Sequence, residues 1–304
     1  MNLDLTNYGG EIAALIAACL WACSSMIFSL LGRKIRSSEL NLLKGVVAIV
    51  LMAAAIPITG ESLTRIQPLA FWLLIISGVV GLGLGDTSYF ESLRMIGPRR
   101  ALLLTISAPP MTAILAALFL GEHLALTAWL GIGGTILGVA WVITEQTPLN
   151  GVKIEPAELR AGVLFASFSA LCQSIGAVLS RAALTMTDVT ALQSGMWRLL
   201  AGIVVLSIWV VLSKEKSFTW LKGGNTAKMW GMIFLATVFG TFLGIWLQQI
   251  AIQKASVGIA QTLLATSPIF ILPLAALSGE KLTLRSVLGA LVAMVGISML
   301  FGVV

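Results

Sequence analysis

Ten stretches of this chain contain no charged residue and no histidine: 12–32, 45–60, 66–85, 101–121, 124–144, 161–180, 199–213, 229–253, 255–279 and 286–304. A helix needs about 20 apolar residues to cross the hydrocarbon core of a bilayer. Most of the stretches reach that length, and the two short ones do so if Lys44 and Arg198 lie inside their helices. Only 11% of the residues are charged, against about 25% in an ordinary soluble domain. Too few charges remain to cover a globular surface. The pattern predicts an all-α polytopic membrane protein with ten transmembrane helices and no soluble domain.

The net charge of +6 does not point to nucleic acid, because no basic cluster with interleaved aromatics is present. The charges sit between spans. Loops one, three, five, seven and nine carry Arg33, Lys34, Arg36, Arg94, Arg99, Arg100, Lys153, Arg160, Lys214, Lys216, Lys222, Lys228, Lys281 and Arg285, whereas the even loops carry only Arg65, Arg181 and Lys254. By the positive-inside rule the odd loops face the cytoplasm and both termini lie outside. Residues 16–19, IAAC, resemble a lipoprotein cleavage box. No positively charged leader precedes them and the apolar run continues, so a span is expected there rather than a cleaved signal or lipid anchor. Cys19, Cys23 and Cys172 all fall within spans and do not report on redox compartment.

The chain repeats itself at an offset of 158 residues. Pro110 meets Pro268, Ala117 meets Ala275, and Gly121-Glu122 meets Gly279-Glu280; Leu124, Leu126, Leu130, Gly131 and Gly138 meet Leu282, Leu284, Leu288, Gly289 and Gly296. Lys44 falls near Arg198, each early in the second span of its half. The expected organisation is a first five-helix repeat at 10–144, a linker at 145–159 and a second repeat at 160–304. Five is odd, so the second repeat enters the membrane from the opposite side. Inverted repeats of this kind build transporters whose binding sites lie near the midplane, where the halves meet around a central cavity.

Two five-span halves with a proline in the fourth span of each, the segments FLGEHL and LSGEKL, a basic residue in spans two and seven, and glycine-spaced fifth and tenth spans resemble the EamA-type members of the drug/metabolite transporter superfamily. The resemblance covers nearly the whole chain. It implies a carrier of small metabolites such as amino acids, often working outward, in the plasma (inner) membrane. It also implies cytoplasmic termini, the reverse of what the charge distribution predicts.

Residues present in both halves are expected to serve the scaffold, and polar residues unique to one half to serve specificity. Gly121-Glu122 and Gly279-Glu280 read as a left-handed helix end followed by a carboxylate at the next helix start; a gate contact at the membrane surface is the other reading. His123 is matched by Lys281, so no metal ligand is expected there. Pro109, Pro110 and Pro268 are expected to kink the fourth and ninth spans and to act as hinges. Thr105 and Ser107 flank the first kink; Thr262 and Thr266, on one helix face, flank the second.

Asp86 ends GVVGLGLGD within the third span. An ionised carboxylate inside a membrane is costly and usually functional, so Asp86 reads as a proton-coupling group or a partner for a cationic substrate group. An acid near the interface, paired with a neighbouring Lys or Arg, is the plainer alternative. Gln248 and Gln249 occupy its counterpart region. Trp21, Ser24, Ser25 and Phe28 form one stripe on the first span, with Gln173 and Ser174 at the corresponding level of the sixth. Tyr89 shares a face with Asp86, and Gln261 completes the expected cavity lining. Lys44 and Arg198 read as interface anchors that snorkel to headgroups, with anion binding as the minor reading.

No nucleotide-binding motif is present, since GLGLGD lies within a span. No cluster of nucleophile, base or metal ligands suggests an enzyme or a cofactor. The expectation is a secondary carrier, an exporter of a small polar or amphipathic metabolite by alternating access, with protons as the candidate coupling ion. A non-transporting receptor or scaffold that binds a small ligand in its bundle is the alternative.

Overall fold

A computed structural model describes residues 8–32, 34–35, 37–61, 66–145, 155–212, 226–267, 269–270, 273 and 284–300. Apolar runs with few breakers form helices almost throughout, and among the described residues there is no strand. In chain order they are α1 (Gly9–Gly32), α2 (Ser37–Thr59), α3 (Pro68–Ser77), α4 (Asp86–Thr105), α5 (Ala108–Leu120), α6 (Leu126–Glu145), α7 (Pro156–Met186), α8 (Ala191–Leu212), α9 (Thr226–Ala236), α10 (Gly244–Lys254), α11 (Val257–Leu264) and α12 (Leu284–Leu300). Two wider π-helical segments join neighbours without a break: Gly78–Gly85 between α3 and α4, and Thr237–Leu243 between α9 and α10.

Among the described residues six helices are long and apolar enough to cross a membrane, and Ala108–Leu120, Leu126–Trp141 and Val287–Leu300 are shorter apolar helices. The ninth expected span begins with α11, but Pro268 and most of residues 271–283 lie outside the described residues, as do Gly279, Glu280 and Lys281. Apolar side chains cover the outside. Leu118, Phe119, Leu137, Trp209 and Val211 are all well exposed, which suits contact with lipid tails and not with water.

The bundle pairs elements across the two halves. α1 packs on the second π segment and α10, while α7 packs on the first π segment and α4; α2 meets α8, α5 meets α11, and α6 runs along α12. Each pairing has its exchanged counterpart, as a repeat related by a two-fold operation requires. The π segments fall at the offset of the sequence repeat, since Gly78 plus 158 is 236 and Gly85 plus 158 is 243. The repeat therefore extends into the third and eighth spans, where residue identity had faded.

Small residues set how closely these helices approach. Without a hydrophobic drive between helices in lipid, close packing of small side chains holds them together. A Cβ on Gly81 would meet the Cα of Gly176 at 3.6 Å, and one on Gly134 would meet the Cα of Gly296 at 3.4 Å. Ser77 donates to the carbonyl of Gly176 at 2.5 Å, tying α3 to α7 at the same crossing.

The proline pair is not a kink inside one helix. The helix stops at Thr105, and α5 restarts at Ala108 with Pro109 and Pro110 in its first turn. There a missing N–H costs nothing, because the first turn has no intrahelical acceptor for it. The exposed carbonyls at the break are answered locally. Leu104 accepts from the Ser107 N–H at 3.1 Å and its hydroxyl at 2.6 Å; Ala108 accepts from Thr112 at 2.9 Å and from Ser174 of α7 at 3.0 Å.

Neighbours along α7 show the chain reversing between the third and fourth spans. Gly81 and Gly85 face Gly176 and Cys172, and Ile96 faces Gly162 near the start of α7. The chain then climbs back beside α7, with Ala108 at Ser174 and Glu122 at Arg181. α4 therefore turns back near Gly97 within its stated bounds.

Candidate functional site

The first π segment aims Asp86 inward. In a π turn the N–H bonds five residues back, and here the Asp86 N–H donates to Gly81. Such insertions recur at functional sites because they turn a side chain off the ordinary helical face. The Asp86 carboxylate stands 3.8 Å from Lys44 Nζ of α2 and accepts from Gln173 Nε2 of α7 at 3.4 Å. Lys44 also lies 5.8 Å from the centre of the Phe28 ring, within cation–π range. Asp86 is thus paired with a cation from a neighbouring helix, in the middle of the bundle and not at its edge.

These groups border a small cavity of ≈ 20 Å³. Asn41, Lys44, Asp86 and Thr241 supply its polar lining; Leu82, Leu199, Ile203, Leu206 and Ile245 supply apolar walls. Asn41 and Lys44 belong to the first turns of α2, and Leu206 to the last turns of α8. The cavity therefore occupies the half of the bundle nearer the odd-numbered loops.

Deeper along α8 lies Arg198, only 4% exposed. A methyl group on Gly81 would stand 3.4 Å from its Nη2, so its guanidinium rests on the glycine-rich π segment. One turn further, Ser194 donates to Gln249 Oε1 at 2.8 Å, and Ser180 of α7 donates to the same oxygen at 2.5 Å. Next to Ser180, Arg181 donates from Nε to Glu122 at 2.5 Å and from Nη1 to the carbonyls of Ile252 and Gln253, both at 2.7 Å. Glu122 also accepts from the Val257 N–H at 3.0 Å. Charged and polar groups thus form one track from the cavity to a clasp at the even-loop face. The clasp ties the fourth span's end to α7 and to the turn between α10 and α11.

The expected cavity residues divide into groups. Trp21 donates from Nε1 to the Gly240 carbonyl at 2.7 Å, and Ser24, buried, packs on Gly240; both join α1 to the second π segment. Asp86 and Gln173 meet each other, and Gln249 sits in the deeper network. Gln248 is buried and Tyr89 half-buried. Ser174 is buried and holds the carbonyls of Ala170 and Ala108. Thr262 and Thr266 are buried and bond back to Gly258 and Leu263; Thr105 and Gln261 are half-buried. Ser25 and Ser107 are exposed and cap their own helix at Ala22 and Leu104, so they are not gathered with the rest. Pro268 lies outside the described residues.

Polar participants that were not among the expected lining residues include Asn41, Thr241, Ser180, Ser194 and Arg181. Lys44 and Arg198 were read as anchors, yet they turn into the bundle and do not snorkel. The available signal was that both recur in the two halves within otherwise uncharged spans. Gly121 does end α5 in the left-handed conformation, at φ 65°, but Glu122 spends its carboxylate on the clasp. Among the described residues no three His, Cys, Asp or Glu side chains come together to hold a metal.

The family model for EamA-like transporters matches residues 8–144 and 160–302. An uncharacterized transporter of Bacillus subtilis (strain 168), YyaM, is 24% identical over 232 residues, covering 76% of this chain and 73% of that protein. An uncharacterized transporter from the cobO 3' region of Sinorhizobium sp is 29% identical over 120 residues, 39% of this chain and 85% of that protein. A solved crystal structure shares the fold with a TM-score of 0.80 at 19% identity, over 95% of each chain. With both halves matched by the same model, the chain belongs to the EamA-like transporter family and is an integral multi-pass membrane protein.

Proposed function

We propose that this transporter is a secondary carrier that exports a small polar or amphipathic metabolite by alternating access, with Asp86 as the proton-coupling group. The observation that carries the reading is the pairing of a cavity in the odd-loop half with a clasp at the opposite face. Arg181, Glu122, Ile252, Gln253 and Val257 close the even-loop side through three donated hydrogen bonds from one arginine and one from the backbone. A carrier needs such a closure on one side while the other side holds the binding space.

Proton coupling is supported by the position of Asp86 between Lys44 and Gln173 beside the cavity. Protonation would remove the attraction to Lys44 and free both groups for the substrate. Solute-loaded proteoliposomes test the reading. Flux of a labelled metabolite should respond to a pH gradient in the wild type and lose that response in Asp86→Asn. Binding without any flux would refute the carrier and favour a receptor.

A further inference from the structure

The space beside Asp86 measures ≈ 20 Å³. A single water needs about 10–15 Å³ and two to four polar partners, so in this conformation the space fits one water and no metabolite. Close backbone approach sets that size. A Cβ on Gly45 would collide with the Ile203 side chain, and one on Gly202 would meet Leu82 Cβ at 2.9 Å; both glycines line the cavity. The two halves enclose it together, with Asn41, Lys44 and Asp86 from the first and Thr241 and Ile245 from the second.

The lining suits a small polar guest. Lys44 Nζ and Asp86 Oδ2 stand 3.8 Å apart, beyond a direct hydrogen bond and at a separation that a bridging water closes. The two side chains keep 18% and 21% of their surface accessible, so water reaches the pair. Asn41 is 4% exposed, and its Nδ2 is buried without an acceptor. A turn of its carboxamide exchanges nitrogen and oxygen, and a water can bond either. Thr241, also 4% exposed, adds a hydroxyl that donates or accepts. The other titratable groups around Asp86 stay out of the lining. Arg198 of α8, its Nε and Nη1 buried without a partner, rests on the π segment at Gly81. Cys172 of α7 packs at Gly85, and Tyr89 follows on α4 itself. A metal cation fits this lining poorly. Hard cations such as calcium take about six to eight oxygen ligands, whereas three lining side chains carry oxygen and a lysine ammonium stands among them.

We infer that the cavity holds one water shared by Asn41, Lys44, Asp86 and Thr241, and that through this water protons, and not metal cations, reach Asp86 from the odd-loop side. This deepens the carrier reading and rests on it for Asp86 as the coupling group. Asn41 and Lys44 belong to the first turns of α2, which places the water between Asp86 and the odd-loop face. A hydronium arriving there passes one proton to an Asp86 oxygen; the carboxylate becomes the neutral acid and a water is left behind. Release runs the same step backward.

Infrared difference spectra of the purified full-length protein in lipid vesicles, recorded as the pH is stepped between 8 and 4, test the inference. The Asp86 carboxyl stretch is the band that Asp86→Asn removes. In the wild type that band should appear together with a water stretch that moves when oxygen-18 water replaces the solvent. Asn41→Leu and Thr241→Val, each close in shape to the residue replaced, should erase that water stretch. They should also slow growth of the carboxyl band at least tenfold while its final size is kept. Sodium and potassium ions should leave both bands in place. The inference is overturned if the carboxyl band forms without an exchangeable water stretch, if both variants keep the rate within twofold, or if sodium displaces the water stretch. Each of these leaves the carrier standing. A wild type that shows no Asp86 band at any pH would instead remove Asp86 from coupling, and the relay with it.

Discussion

Removing Arg181 should open the even-loop face, and the structure sets the size of the effect. Arg181→Gln deletes three charge-assisted hydrogen bonds, to Glu122 and to the carbonyls of Ile252 and Gln253. Hydrogen bonds to charged groups contribute about 1.5–3 kcal/mol each when fully buried. Here the two side chains retain 15% and 17% exposure, and water can replace part of what is lost. A net cost of about 2–4 kcal/mol to the clasped conformation is a reasonable figure for a pair this buried. Each 1.4 kcal/mol is a factor of ten in the equilibrium. The clasped-to-open ratio should therefore fall by about thirtyfold to a thousandfold. The assay is the rate at which a membrane-impermeant maleimide labels Ser194→Cys, after Cys19, Cys23 and Cys172 have been replaced. Ser194 lies under the clasp with no exposed surface. Labelling from the even-loop side should accelerate at least tenfold in Arg181→Gln, and Glu122→Gln should move it the same way. If labelling stays within twofold of the parent while the melting temperature shows a folded protein, the clasp is packing and not a gate.

Three further outcomes follow from the same geometry. Flux through Asp86→Asn should become independent of pH between 5.5 and 7.5 in a proteoliposome uptake assay, and an unaltered pH profile would remove Asp86 from coupling. Gly240→Ala should lower the melting temperature, since its Cβ would collide with Ser24 and overpacking costs about 1–3 kcal/mol. Gly231→Ala, with nothing within 4 Å, should instead gain up to about 1 kcal/mol from helix propensity; equal effects at the two sites would refute the close-approach argument. Pro109→Ala should change stability by less than about 1 kcal/mol, because Pro109 occupies a first turn and not a helix interior, where proline costs about 3 kcal/mol.

The sequence by itself determined the membrane class, the repeat and the family, because these depend on signals spread over many residues. Uncharged runs must span, since lipid cannot solvate charge, and an offset of 158 residues survives many local substitutions. Asp86 was legible for the same reason: one acid in an apolar run has few bland explanations. What the proline pair does was not legible. Pro109 and Pro110 look alike in a kink and in a first turn, and only the helix break at Ile106–Ser107 separates the two. Lys44 and Arg198 could equally reach outward to headgroups or inward to Asp86. Their direction depends on where α3 and its π segment pack, which no local pattern encodes. Glu122 reads as a helix-end carboxylate until Arg181, 59 residues away, and Val257, 135 residues away, are brought beside it. Helix formation and membrane insertion are local free energies and can be read from a window of residues. The clasp, the track and the unpartnered guanidinium arise from helices of both halves meeting, and that meeting exists only in the folded bundle.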